Sequence, residues 1–306
     1  MATRVKAFGQ VWTPTGAGIL IPAGTVLDVS RRSSTTFLDL KAKAEEIEQI
    51  YASAKVAIPK VSDLWRLIRN AKLLSDRWLL NRTADATMFD VFDAMHLQRI
   101  VEAVLPLRHV SGNKPYLRRL VAGGLDLFKR TKSRAKDALW ELEFWSLLRR
   151  RSANPRLVDP PDIVVDVGSS AIGISCKKLY SEAHVQNVLS KAVRQVEPYF
   201  DIGVVAISLD DLIPGDNLLR VPNQAQLDRA LNEHNNAFLR RHERHFRKYL
   251  SAGRIQCVVV STCVVAHVTS WRVSYNNARQ STVWAFPRLP ASKHRLLRYL
   301  QDLVAS

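Results

Sequence analysis

Cysteine is scarce in this chain. Three occur, Cys176, Cys257 and Cys263, and no two form a C-x-x-C pair. An odd count without paired spacing argues against a disulfide framework and fits a reducing, cytoplasmic setting. Long apolar runs are also lacking. The longest, Ile255 to Val268, is interrupted by Gln256, Ser261, Thr262 and His267, whereas a membrane helix needs about 20 apolar residues. No membrane span is expected, and the first residues have no apolar core of the secretory kind. The glycine-rich loops that cradle nucleotide phosphates are missing, as is the G-x-S-x-G elbow of serine hydrolases, so neither chemistry is indicated. Acids are in deficit: 28 Asp+Glu stand against 45 Lys+Arg, a formal charge of +17.

That excess favours polyanionic partners, nucleic acid first among them. The basic residues are spread over several segments instead of forming one juxtamembrane cluster, which argues against a membrane surface. The remaining composition is ordinary for a globular protein: 47% hydrophobic, with 12 glycines and 13 prolines in 306 residues. That length accommodates one large domain or two.

Residues 1–35 read as irregular or as a small hairpin. Leu38, Leu40, Ala44, Ile47 and Ile50 predict a helix over 36–57, ended by Pro59. Ser62 caps a second helix to about residue 80, and a third covers 87–105. From Pro115 a helical pattern runs to about residue 151, breakable at Gly123-Gly124. The texture then changes. Short apolar strands are expected at 163–167, 172–176 and 203–209, with another strand or pair at 256–268. Helices are expected over 181–196, 223–250 and 290–304. This order predicts an α/β fold, a mixed central sheet flanked by helices. A mostly helical region, 1–114, precedes a chemistry-bearing domain, 115–306.

The chemistry is expected around 161–177, which read Pro-Asp-Ile-Val-Val-Asp-Val-Gly-Ser-Ser-Ala-Ile-Gly-Ile-Ser-Cys-Lys. Side chains alternate along a strand, so Ser175 and Lys177 share one face, Cys176 takes the other, and Asp162 shares a face with Asp166. Antiparallel pairing through the turn at 168–171 brings Asp162 opposite 175–177. A carboxylate there can hold a hard cation such as Mg²⁺, which polarises a phosphate and acidifies a water. The lysine can orient that water and counter developing charge. A helix with Glu141 and Glu143 lies just upstream. Glu141 shares its face with Ala138, Phe144, Trp145 and Leu148 and is expected to meet the sheet. Glu143, about 200° away, is expected to face solvent.

These residues resemble the PD-(D/E)xK nuclease superfamily, with its restriction-endonuclease-like core, over roughly 137–210. Four pieces carry the resemblance: the helix acid in Leu139-Trp-Glu-Leu-Glu-Phe-Trp, Pro161-Asp162, Ile174-Ser-Cys-Lys-Lys, and Gln195 with Tyr199, similar to a Q-x-x-x-Y element. The resemblance implies DNA phosphodiester hydrolysis with Mg²⁺ or Mn²⁺. It implies Asp162, Glu141 and the Cys176 backbone carbonyl as metal ligands, Lys177 at the water, and Gln195 and Tyr199 ordering the site or the strand. One residue departs from the pattern: Ser175 stands where the family has its second acid. Glu182, Glu197 and Asp166 are the candidate replacements, Glu182 first.

Basic residues Lys129, Arg130, Lys132, Arg134, Arg149, Arg150 and Arg151 are expected to track phosphates, together with those at 240–248. Lys178 is either surface charge or a further nucleic-acid contact. His242 and His245 lie on a charged helix with no evident third ligand. Cys176, Cys257 and Cys263 are expected in the core. The partner is expected to be DNA in preference to RNA, and a homodimer is possible. Two other readings fit the sequence. One is a catalytically silent nuclease fold that binds DNA, which Ser175 supports. The other is a basic scaffold protein of a phage-related or defence complex.

Overall fold

Chain punctuation sets the helical layer. In the computed structural model, which describes residues 11–14, 20–23, 26–27, 37–80, 87–150, 154–197, 199–215, 217–271 and 275–285, three short strands come first: β1 (Val11–Pro14), β2 (Leu20–Ala23) and β3 (Val26–Leu27). Helix α1 (Phe37–Ser53) follows. Ser62 then accepts a hydrogen bond from the Trp65 N–H and starts α2 (Asp63–Leu79). Thr87 and Asp90 form a reciprocal capping box that starts α3 (Met88–Val104). Pro115 lies in the first turn of α4 (Lys114–Val121), where its missing N–H costs nothing. The basic stretch after Gly123-Gly124 is irregular rather than helical, and α5 (Arg134–Arg150) starts beyond it.

The α/β half continues with β4 (Pro155–Leu157), β5 (Ile163–Val167), β6 (Ser170–Lys178), α6 (Val185–Val196), β7 (Ile202–Ser208), β8 (Leu219–Val221), α7 (Gln224–Arg241), α8 (Glu243–Ser251), β9 (Cys257–Val268) and β10 (Tyr275–Ala285). The helix expected over 223–250 is therefore two, separated at His242. The helix expected over 290–304 lies outside the described residues. One mixed sheet runs β3-β10-β9-β7-β6-β5-β4, with β8 on the far end of β9. β6, β7 and β9 are parallel, while β4-β5-β6 and β9-β10-β3 are antiparallel.

Helices cover both faces. Ile174, Cys176, Val204 and Ala206 belong to the core that includes α5 and the buried residues of α1–α4. Val205, Ile207, Val258 and Val260 face α6 and α8. The first core is continuous across residue 114, so the helices before that point and the sheet after it share one apolar interior. The indole N–H groups of Trp140 and Trp145 fasten α5 to the sheet side, donating to the carbonyls of Ala206 (3.2 Å) and Pro155 (2.9 Å).

Candidate active site

Turn geometry sets the register that builds the site. Val167 pairs with Ser170 across a two-residue loop, Gly168-Ser169. Gly168 has φ +62°, whereas Ser169 keeps a negative φ. That is the II′ pattern, whose twist matches a hairpin and which takes glycine at its first central position. The register carries on to Ile163 opposite Ile174, placing Asp162 beside Ser175. The Asp162 backbone is fixed on both sides: its N–H donates to Ile174 and its carbonyl accepts from Val158.

The carboxylate of Asp162 is buried and collects three contacts on one oxygen. The Cys176 backbone N–H donates to Oδ2 at 2.6 Å, the Lys177 ammonium lies 3.1 Å away, and the Ser175 hydroxyl 3.3 Å away. Charge-assisted bonds of this kind offset the cost of burying the ion. Oδ1 accepts none of the three. Ser175 also lies 2.6 Å from the Gln195 side-chain oxygen on α6. A hydroxyl has one proton to give, so turning the Gln195 amide to donate frees it for Asp162. A strand residue presents its N–H and C=O to the same neighbour, so the Cys176 carbonyl points toward the Asp162 side.

Glu141, on α5, lies within electrostatic range of Asp162 and Lys177. Its two oxygens are forked by Arg119 of α4 at 2.6 and 2.7 Å. Burial pushes its carboxyl up to about 7; Arg119 opposes the rise and the negative charge of Asp162 adds to it. One turn earlier on α5, Asp137 accepts from the Tyr180 hydroxyl at 2.9 Å, and burial raises its carboxyl against the pull of Tyr180, Lys178, Lys132 and Lys177. Asp137 is four residues from Glu141, a spacing that marks one helical face, so the sequence held a signal for it. Arg119 had none, because its partner is 22 positions away.

Other expected residues lie elsewhere. Glu182 is not at this site: Arg241 and His242 hold it at 2.7 Å each, and the Arg241 hydrogen bond leads in drawing its carboxyl down to about 2. Asp166 is an exposed partner of Arg156, and Glu197 a partner of Arg254. Glu143 does not face solvent. It is buried against Arg99 and, at 2.8 Å, Arg279; burial raises its carboxyl but the two guanidinium groups outweigh that and hold it below the ordinary range. The reason is that α5 contacts α3 and α4 on one side and β4 and β6 on the other, leaving no wet face. Lys178 is buried against Asp211 (2.8 Å) and Asp210 (3.4 Å), so it is no nucleic-acid contact.

Among the expected basic residues, Lys129, Lys132 and Arg134 are exposed, and so is Tyr199. Arg130 donates to the Leu127 carbonyl and lies 3.8 Å from Asp211. Arg149 lies over Trp145 and bonds the Pro106 carbonyl, and Arg150 bonds that of Glu102. Arg151 is outside the described residues. Arg240, Arg241, Arg244, Arg247 and Lys248 line an open basin of about 600 Å³ at the α7–α8 junction.

No protein-family model matches the chain, and the curated proteins and the solved structures give no match either. Among the described residues, no group of three or more His, Cys, Asp or Glu is placed to hold a metal, and no helix is long and apolar enough to cross a membrane. The site instead offers oxygen donors: two carboxylates, a backbone carbonyl, a hydroxyl and an amide. That set fits Mg²⁺ or Mn²⁺, because Mg²⁺ is commonly held by one or two carboxylates together with waters and substrate phosphates.

Proposed function

We propose that this protein is a metal-dependent nuclease that hydrolyses DNA phosphodiester bonds, with the restriction-endonuclease-like core that the sequence motifs resemble. The observation that carries the reading is the meeting of Asp162, Lys177 and the Cys176 N–H within 3.1 Å, with Glu141 of α5 in electrostatic range. Asp162 and Glu141 would hold the cation, with the Cys176 carbonyl beside them. When bound, such a cation polarises the phosphate and acidifies water. Lys177 shares its charge between Asp162 and the incoming phosphate and orients the attacking water. Hydrolysis forms a P–O bond to the water oxygen and breaks the P–O bond to the sugar oxygen, which departs with the proton the water gives up. Gln195 holds Ser175 and so fixes the floor beneath Asp162. The exposed Lys129, Lys132 and Arg134 and the basin at 240–248 supply phosphate-directed charge, and Tyr199 offers an exposed ring for stacking on a base.

The direct test is cleavage of linear and circular DNA with Mg²⁺, Mn²⁺ or EDTA, beside Lys177→Ala. Metal-dependent cutting by the native chain, lost in the variant, is expected. Cutting of linear DNA alone indicates an exonuclease. A second reading rests on Ser175: a silent nuclease fold that binds DNA. It predicts salt-sensitive binding that persists in EDTA with no cutting in any metal.

A further inference from the structure

Four charged groups meet at the candidate site, and they cancel. Asp162 carries Lys177 at 3.1 Å, and Glu141 carries Arg119 through both of its oxygens. The two carboxylates are not equivalent, however. Asp162 keeps Oδ1 clear of the three contacts on Oδ2, whereas Glu141 has no oxygen outside the Arg119 fork. A divalent cation that takes Glu141 competes with the Arg119 fork for the lone pairs of both oxygens and then sits beside two positive side chains, which favours release of the guanidinium. The Arg119 side chain is 39% exposed, so it has somewhere to go. A phosphodiester arriving with the metal brings the negative charge that the released guanidinium needs, and a guanidinium fork matches phosphate geometry as well as carboxylate geometry.

Resting on the nuclease reading, we propose that Arg119 is a latch that couples metal binding to substrate. It holds Glu141 while the site is free of DNA, and moves to the scissile phosphate when metal and DNA enter together. Metal and nucleic acid then bind cooperatively, each tightening the other by the same factor, as linkage requires. The free protein binds metal weakly and is spared carrying a loaded site without substrate.

The test is Mn²⁺ binding to the full-length chain, read from the electron paramagnetic resonance signal of free Mn²⁺. It is run with and without a cleavage-resistant phosphorothioate duplex, on native protein, Arg119→Ala, Arg119→Lys and Asp162→Asn. Without DNA, Arg119→Ala is expected to tighten Mn²⁺ binding on the order of tenfold, one nearby positive charge having been removed. Arg119→Lys, which keeps the charge but loses the fork, should fall between. The duplex should tighten Mn²⁺ binding in native protein and have much less effect in Arg119→Ala. Equal Mn²⁺ affinity in native protein and both Arg119 variants overturns the latch, as does undiminished coupling in Arg119→Ala. Mn²⁺ binding untouched by Asp162→Asn overturns the metal site itself, and the nuclease reading with it.

Discussion

Glu141 and Glu143 stand two residues apart on one buried helix, yet they should respond oppositely to truncation. Glu143 is 6% exposed at its side chain, against Arg99 at 10% and Arg279 at 16%. Glu143→Ala leaves these two cations facing each other in the interior. Breaking a buried ion pair by removing one partner costs about 3–5 kcal/mol. The low end is expected here, because Arg99 keeps Asp210 and Arg279 lies over the Trp140 ring. Glu141→Ala frees Arg119, whose exposure lets it turn into water, and relieves Asp162 of a like charge. With solvent screening that loss should stay under about 1 kcal/mol. Urea unfolding followed by tryptophan fluorescence separates the two: the midpoint should fall far more for Glu143→Ala at unchanged slope. DNA cleavage and Mn²⁺ binding should show the reverse order, with Glu141→Ala the more damaging. Equal destabilisation by the two variants would refute the assignment of one acid to structure and the other to the site.

His96 gives a pH prediction. Burial, helped by Arg99, Arg130 and Arg66, pushes its pKa down to about 3 from 6.5. The unfolded chain therefore binds a proton that the folded chain refuses, so His96 costs nothing above pH 6.5 and destabilises as pH falls toward 3. The slope is about 1.4 kcal/mol per pH unit, and it should be missing in His96→Gln when the two unfolding curves are subtracted. Replacing the exposed Lys129, Lys132 and Arg134 together by alanine should weaken DNA binding at every sequence and lower the slope of log K against log salt by about 2–3. Gly168→Val, at φ +62° in the β5–β6 turn, should cost about 1–2 kcal/mol in thermal unfolding and loosen the register at Asp162.

The hairpin was legible because its cues are local. Alternation in β5 and β6 and a Gly-Ser turn are enough to bring Asp162 against Lys177. The caps at Ser62 and Thr87 were legible for the same reason. Glu143 was misread because a helical wheel assumes a wet side, and only tertiary packing reveals that α5 has none. Glu182 was assigned by proximity in sequence, while Arg241 and His242, about 60 positions later, decide where it goes. The resemblance itself rests on those local motifs, and the partners that complete the site, Arg119 above all, come from distant segments.

One end of the main sheet path is short: β4 has three residues, including Pro155 and the paired Arg156. A sheet recruits a foreign strand through a long, flat run of unpaired backbone groups, and short rims carrying proline or charge deny it that template. At β4, growth of the sheet into a second molecule is therefore discouraged. If the chain pairs with a copy of itself, side chains rather than a shared ladder should make the contact, and the dimer should respond to surface substitutions while its amide-exchange pattern along β4 stays that of the monomer.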